Sequence, residues 1–245
     1  MVDCTNDIIP NRPHYGMFNA VARRYDLVNH VLTWGLDKRW RREAAQECVT
    51  SQPNKMLDLC CGTGDLALNI ARLSNNNVGV TGLDYSQPML DRATKKAEPL
   101  AKKVSFIHGD AANLPFPDGY FDCIGISFAF RNLTYRNPMA QRNLAEALRV
   151  LRPSGKFVIL ETSQPEVKLI RKLYHLYLHW FVSKVGSLLS GNRGAFHYLA
   201  ESATRFYTSG ELKELLIAAG FRHVSFRPLL FGAIGIYIAH SKDTP

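Results

Sequence analysis

The sequence predicts an open, mostly parallel α/β sheet of seven strands that ends in an antiparallel hairpin. Three observations carry this. From Lys55 onward, short apolar strands alternate with helical stretches, the pattern of βα units laid side by side. The first strand runs directly into Gly62-Thr63-Gly64, a turn from which a helix starts. The last two apolar runs are separated only by Phe231-Gly232-Ala233, too few residues for the crossover that a parallel pair needs.

Taken in order, residues 17–50 interleave apolar and basic positions without strand-like alternation and read as helical. Met56–Cys60 is the first strand, and the glycine turn opens a helix that runs to about Leu73. Val78–Leu83 is the second strand, followed by a helix that Ser86 caps, with Pro88 in its first turn, to about Ala97. Val104–His108 and Phe121–Phe128 are the third and fourth strands, the latter rich in Ile and Phe. Asn137–Leu151 is a helix ended by Pro153-Ser154-Gly155, and Lys156–Glu161 is the fifth strand. Residues 165–190 form a long aromatic helix, and Ser209–Ala219 a further one that Gly220 stops. Val224–Leu230 and Ile234–Ala239 are the hairpin strands. No repeat or low-complexity linker interrupts this order. The expectation is one domain: a helical lid (1–54), a cofactor-binding core (55–164), an aromatic and basic helical insertion (165–207), and a closing helix and hairpin (208–245).

Composition narrows the class. In 245 residues, 46% are hydrophobic and 21% charged, which favours a soluble globular chain with a sizeable core. No apolar run reaches the length of a bilayer span, and Met1–Pro13 has no secretory h-region. The five cysteines, Cys4, Cys48, Cys60, Cys61 and Cys123, include no CxxC pair, which suits a reducing, cytoplasmic compartment. The net charge of +9 is uneven, with Lys/Arg excess before Arg42 and again from Pro165 to Arg205, outside the expected sheet. Nucleic acid, an anionic membrane surface and acidic substrates all suit such a balance, as do plain solvated helix faces.

The glycine turn is the most informative stretch. A strand, a turn and a helix N-terminus present backbone N–H groups to a ligand, and Gly62 and Gly64 let the chain pass close to it. By itself Gly62-x-Gly64-x-x-Ala67 also fits a nicotinamide-binding fingerprint. Asp58, an acid inside the preceding strand, separates the two. A pyrophosphate gains nothing from a carboxylate there, whereas the ammonium and sulfonium of S-adenosylmethionine do. Asp84 ends the second strand where a carboxylate takes both ribose hydroxyls. Asp110 and Ala111 follow the third strand, placed for the adenine amino group and a ring nitrogen. Each of these acids alone also suits a turn or helix cap. Four such features in order along one sheet favour the cofactor.

With these residues in hand, the chain resembles the Rossmann-like class I methyltransferases, and within them the ubiquinone/menaquinone biosynthesis C-methyltransferases. The resemblance runs from about Met17 to Ala239. It rests on Phe18-Asn19-x-Val21-Ala22-x-x-Tyr25-Asp26-x-x-Asn29-x-x-Leu32 continuing through Gly35 to Trp40-Arg41, and on Ile126 to Leu133. Arg149 to Gly155, Leu160 to Pro165 and Tyr198 to Ser202 extend it. Val28, Thr33, Asp37, Ala129, Phe130 and Ser154 depart from the family's usual residues. Glu161 to Pro165 is closer to menaquinone-pathway members than to ubiquinone ones.

The resemblance implies C-methylation of a polyprenylated hydroquinone, demethylmenaquinol to menaquinol, or the corresponding ubiquinone-pathway benzoquinol. Thr63 belongs to the cofactor loop, and Ser127 stands nearer the cofactor than the substrate. Arg131 and Asn132, at the carboxyl end of the fourth strand, are assigned to the substrate, Arg131 to hold the developing phenolate; the alternative for Arg131 is a structural ion pair. Tyr25 and Asn29, at i and i+4, form one face of a helix over the site, or simply a packed helix. His175 and His179 share that spacing, but no third ligand accompanies them, so no metal is expected. The 166–190 helix sets Leu169, Leu173, Tyr177, Phe181 and Val185 on one stripe, widened by Ile170, Tyr174 and Leu178 and flanked by Lys168, Arg171 and Lys172. That pattern suits a helix lying at the inner face of a membrane and forming the mouth of a tail pocket, or else a core or homodimer contact. A methyltransferase acting on RNA would need a base-stacking motif or an added RNA-binding module, and neither is seen. A noncatalytic nucleotide binder would not need the Tyr25 to Asn132 group.

Overall fold

The computed structural model describes residues 25–74, 78–100, 103–191 and 193–241, together with Gly16. Residues 17–24 of the expected first helix, the front motif from Phe18 to Ala22, and Cys4 lie outside the described residues.

The chain opens with α1 (Tyr25–Leu32) and α2 (Leu36–Val49), then alternates through β1 (Lys55–Leu59), α3 (Asp65–Leu73), β2 (Gly79–Asp84), α4 (Gln87–Ala97), β3 (Val104–His108) and β4 (Phe121–Ser127). It continues with α5 (Phe130–Thr134), α6 (Ala140–Val150) and β5 (Leu151–Thr162). Next come α7 (Lys168–Tyr177), α8 (Ser183–Ser190), α9 (Arg193–Thr204), α10 (Ser209–Ala218), β6 (Arg222–Leu229) and β7 (Ile234–His240). The sheet has seven strands in the order β3-β2-β1-β4-β5-β7-β6. β1 to β5 pair in parallel, and β7 is antiparallel to both β5 and β6. Both the parallel sheet and the terminal hairpin are as the sequence predicts.

Period-two alternation builds a core on each face. Leu57, Leu59, Ile124, Ile126, Phe157 and Ile159 face one helical layer. Met56, Cys123, Val158 and Leu160 face the other. Strands buried on both sides read as continuous apolar runs, and β4 is buried from Phe121 to Ile126. β1 sits between β2 and β4, so the chain reverses direction across the sheet at that point and leaves a crevice beyond the carboxyl ends. A third cluster, including Val28, Leu32, Leu178, Val182 and Phe196, joins α1 to α8 and α9 above that crevice.

Four details differ from the sequence expectation. The helical N-terminal stretch is broken at Thr33–Gly35, where Trp34 (φ 55°) and Gly35 (φ 74°) turn the chain. β5 starts at Leu151, five residues early, with a register shift against β4 that accommodates Pro153 and Ser154 (φ 57°) as a bulge. A short helix, α5, follows β4 directly. The long aromatic helix contains a π-helical turn at Leu178–Val182 between α7 and α8.

Candidate active site

The crevice opens into two spaces that share a wall. A cleft of about 920 Å³, counted out to its open mouth and with Asp65, Asp84 and Asp110 in its lining, lies against the β1, β2, β3 and β4 ends. A larger apolar cavity of about 1390 Å³, counted the same way, lies between α1, α2, α7 and the 230–233 turn. Tyr25, Arg41 and Phe128 line both.

The cleft gathers most of the cofactor residues expected from sequence. Gly62, Thr63, Asp84, Asp110, Ala111 and Ser127 all line it. The Gly62 amide donates to Asp84 Oδ2 at 2.8 Å, and the Ser86 amide donates to Asp84 Oδ1 at 2.8 Å. The carboxylate is thereby fixed, with acceptor capacity left over for a ligand. Burial pushes the Asp84 carboxyl up from its ordinary range, against the pull of these amides. Asp110 Oδ1 accepts from the Ala112 amide at 3.0 Å, an Asx turn that sets the Ala111 backbone. Gly62 has a left-handed φ of 53°, and a Cβ there would meet no protein atom within 4 Å, so the backbone is bare toward open space. The Thr63 hydroxyl donates to Asp26 Oδ1 at 2.6 Å, and Lys96 reaches the same Asp26 at 3.1 Å. α1 is thus fastened to the glycine turn.

Two expected cofactor residues stand behind the cleft and do not line it. Gly64 has φ 80°, and a Cβ there would lie 2.9 Å from the Phe106 ring and 3.0 Å from Ala93. Its missing side chain serves helix–strand packing. Asp58 is 1% exposed, and its Oδ2 accepts from the Ala67 amide at 2.8 Å. Its Oδ1 is buried and has no hydrogen-bond partner. Burial pushes its pKa up to about 8, so beneath the cleft lies a carboxyl that a nearby cation would ionise.

The four residues expected on the substrate side divide between the two spaces. Tyr25 lines both, Asn29 and Arg131 line the apolar cavity, and Asn132 lines the cleft. Burial pushes the Tyr25 hydroxyl pKa up, so Tyr25 is a neutral donor at neutral pH. Arg131 is 4% exposed and its Nη1 donates to Glu161 Oε1 at 3.1 Å and to Thr162 Oγ1 at 3.0 Å. The structural ion pair is therefore present, with a strand-end carboxylate as its partner, while Arg131 Nε is buried without one. Asn132 Oδ1 accepts from the Tyr198 hydroxyl at 3.3 Å.

Sequence reasoning missed Arg41 as a site residue. It is 6% exposed, pairs with Asp37, donates through Nε to Ser127 Oγ at 3.4 Å, and lies over the Phe128 ring at 5.3 Å. The available signal was Trp40-Arg41, the end of the front motif. Trp34 and Phe231 of the cavity carried no local signal, because the fold alone brings their turns together. Of the expected apolar stripe of the long helix, Ile170, Leu173, Tyr174, Tyr177 and Leu178 line the cavity, whereas Leu169 is exposed. Leu176, Trp180 and Leu188, outside that stripe, are exposed as well. His175 Nε2 lies 2.8 Å from Gln164 Oε1. Among the described residues no group of three or more His, Cys, Asp or Glu is placed to hold a metal ion. Among the same residues no helix is long and apolar enough to cross a membrane.

Residues 11–241 match the ubiE/COQ5 methyltransferase family. The chain is 40% identical over 222 residues to the demethylmenaquinone methyltransferase of Thermus thermophilus, covering 91% of this chain and 98% of that one. It is 41% identical over 223 residues to the demethylmenaquinone methyltransferase of Thermotoga maritima, covering 91% and 93%. Among solved structures, an O-methyltransferase family protein from Burkholderia thailandensis superposes with a TM-score of 0.66 at 16% identity, covering 91% of this chain and 60% of that one. At that identity the likeness concerns the fold.

Proposed function

Because the chain belongs to the ubiE/COQ5 methyltransferase family, we propose that it methylates a ring carbon of a polyprenylated hydroquinone with S-adenosylmethionine, converting demethylmenaquinol to menaquinol. The observation that carries this is the shared wall. A cleft rich in hydrogen-bond acceptors adjoins an apolar cavity large enough for a ring and the start of an isoprenoid tail, and Tyr25, Arg41 and Phe128 border both.

The donor set suits the cofactor. Asp84 would accept from ribose hydroxyls, Asp110 from the adenine amino group, and the Ala111 amide would donate to a ring nitrogen. The unpartnered Asp58 Oδ1, once ionised by the bound cation, would place negative charge beneath the methionine ammonium. When bound, S-adenosylmethionine supplies a methyl electrophile on a sulfonium. The chain's residues then orient and desolvate. Arg131 Nε, Asn29 and Tyr25 offer donors to the substrate's oxygens, and the apolar walls exclude water. The phenolic proton would leave first and put charge on the ortho carbon; that carbon would take the methyl while the sulfur keeps the pair of the broken bond. The ring hydrogen would then leave as a proton while the oxygen regains one, and aromaticity returns. An anion and a cation become neutral products, so a dry junction favours the transition state over the solvated ions.

Incubation with labelled S-adenosylmethionine and demethylmenaquinol tests this directly, with bulk RNA as the competing acceptor. Label in menaquinol supports the reading, and label in RNA or in neither overturns it.

The same reading includes a membrane surface on the cytoplasmic side as the place of work. Trp34 and Phe231 line the cavity and are 77% and 78% exposed, and Leu173 and Leu230 join them at its mouth. Lys168 and Lys172, exposed on α7, flank that rim. An isoprenoid tail would leave a bilayer into such an opening without crossing water.

A further inference from the structure

Resting on the quinol reading, the geometry points to Arg41, and not Arg131, as the group that holds the substrate oxygen next to the carbon being methylated. We infer this from which spaces each arginine borders. The methyl group enters from the cleft and the ring from the cavity, so the reacting carbon sits where the two meet. Arg41 borders both spaces, whereas Arg131 borders the cavity alone. In a 1,4-hydroquinone only the oxygen ortho to the methylated carbon delocalises charge onto it. That oxygen faces the junction, and the para oxygen points away along the cavity toward Arg131.

The surroundings of Arg41 suit the task. Its guanidinium is fixed by Asp37 on the same helix, by Ser127 at the end of β4, and by Asp65 at 3.9 Å. Asp37 is itself held by Thr33 at 2.9 Å and by His30 at 2.8 Å. These contacts use Nε and Nη1. Nη2 has no partner among the described residues, on a side chain only 7% exposed. A planar donor fixed on two sides, with one nitrogen left unpartnered, is pre-organised for an oxyanion. The Phe128 ring beneath it gives the flat quinol a surface to stack on, so ring plane and guanidinium are set together.

Ring ionisation on the protein provides a test that does not depend on turnover. A nitronaphthol, whose phenolate absorbs in the visible, is titrated with pH in the presence of excess protein and S-adenosylhomocysteine. With the wild type, the bound probe's pKa should fall by about 1–2 below its value in water. Arg41→Gln should abolish that fall, Arg41→Lys should keep part of it, and Arg131→Gln should leave most of it. In the methyl-transfer assay, Arg41→Gln should lower kcat about 10- to 100-fold at neutral pH, and the loss should shrink as pH rises and the quinol ionises unaided. Circular dichroism and S-adenosylhomocysteine affinity show whether each variant is folded with an intact cleft, and Arg41→Lys carries the comparison if Arg41→Gln is not. A wild type that leaves the probe's pKa unchanged or fails to bind it overturns the assignment, as does loss of the shift in Arg131→Gln but not in the Arg41 variants. Failure of the quinol reading is separate, appearing as a wild type that shifts the probe but transfers no methyl to demethylmenaquinol.

Discussion

Asp58 makes the stability of this protein depend on pH in an unusual direction. Its folded pKa of about 8 lies about four above the ordinary 3.8, with burial as the cause. Between those values the folded state keeps a proton that the unfolded chain has released. The contribution is fully present below about pH 4 and is lost progressively as pH rises to about 8, by about 1.4 kcal/mol per pH unit and about 6 kcal/mol in all. Asp58→Asn removes the titration and keeps an oxygen for the Ala67 amide, although its buried NH₂ costs about 1–3 kcal/mol at every pH. The slope is therefore the readout. Urea denaturation of both proteins at pH 5, 6, 7 and 8 should give a stability difference that moves in the variant's favour by about 1.4 kcal/mol per pH unit. Parallel curves would refute a neutral buried carboxyl. The cofactor's positive charge favours ionised Asp58, so its binding at pH 7 should release a proton, detectable by calorimetry in buffers of different ionisation heat. That release should vanish in Asp58→Asn.

Other expectations follow from single contacts. Asp84→Ala should weaken S-adenosylmethionine binding by about 1–3 kcal/mol by titration calorimetry, since it removes a ribose acceptor and unfastens the Gly62 amide. Gly64→Ala should destabilise the fold by about 1–3 kcal/mol in thermal melts, because its Cβ meets Phe106 and Ala93 and its φ is positive. Arg131→Lys keeps a charge against Glu161 but loses the planar fork, so steady-state kinetics should show a raised quinol KM with cofactor affinity nearly unchanged. Replacing Lys168, Arg171 and Lys172 by Gln should reduce cosedimentation with anionic vesicles by about 1 kcal/mol per charge, and a wild type that stays in the supernatant at low salt removes the membrane reading.

What could be read in the sequence was local. The β/α alternation and the short 231–233 connection fix strand direction, because both depend on chain geometry over a few residues. Asp84, Asp110 and Ala111 line the cleft because the carboxyl ends of strands open onto it. Asp58 and Gly64, expected beside them, stand behind the cleft. A strand residue's face and a glycine's reason depend on what packs behind it, here Ala67 for one and Phe106 for the other. Arg131 and Asn132 are adjacent, yet they point into different spaces because α5 begins at Phe130, a turn of helix with no signal of its own. The apolar stripe on α7 and α8 was visible, but its division into a cavity face and an outer face needed the position of α1.

The Asp26–Thr63 hydrogen bond ties two ligands to one mechanical part. Burial pushes the Asp26 carboxyl up, but Thr63 and Lys96 more than offset it and hold the group ionised. Tyr25 and Asn29 ride on the same helix, so a ligand that tightens the glycine turn also steadies the substrate wall. By linkage the effect is reciprocal: whatever free energy the first occupant spends ordering α1, the second is spared. The affinity of a ring analogue measured with and without S-adenosylhomocysteine reads that coupling, and Thr63→Val should reduce it toward zero.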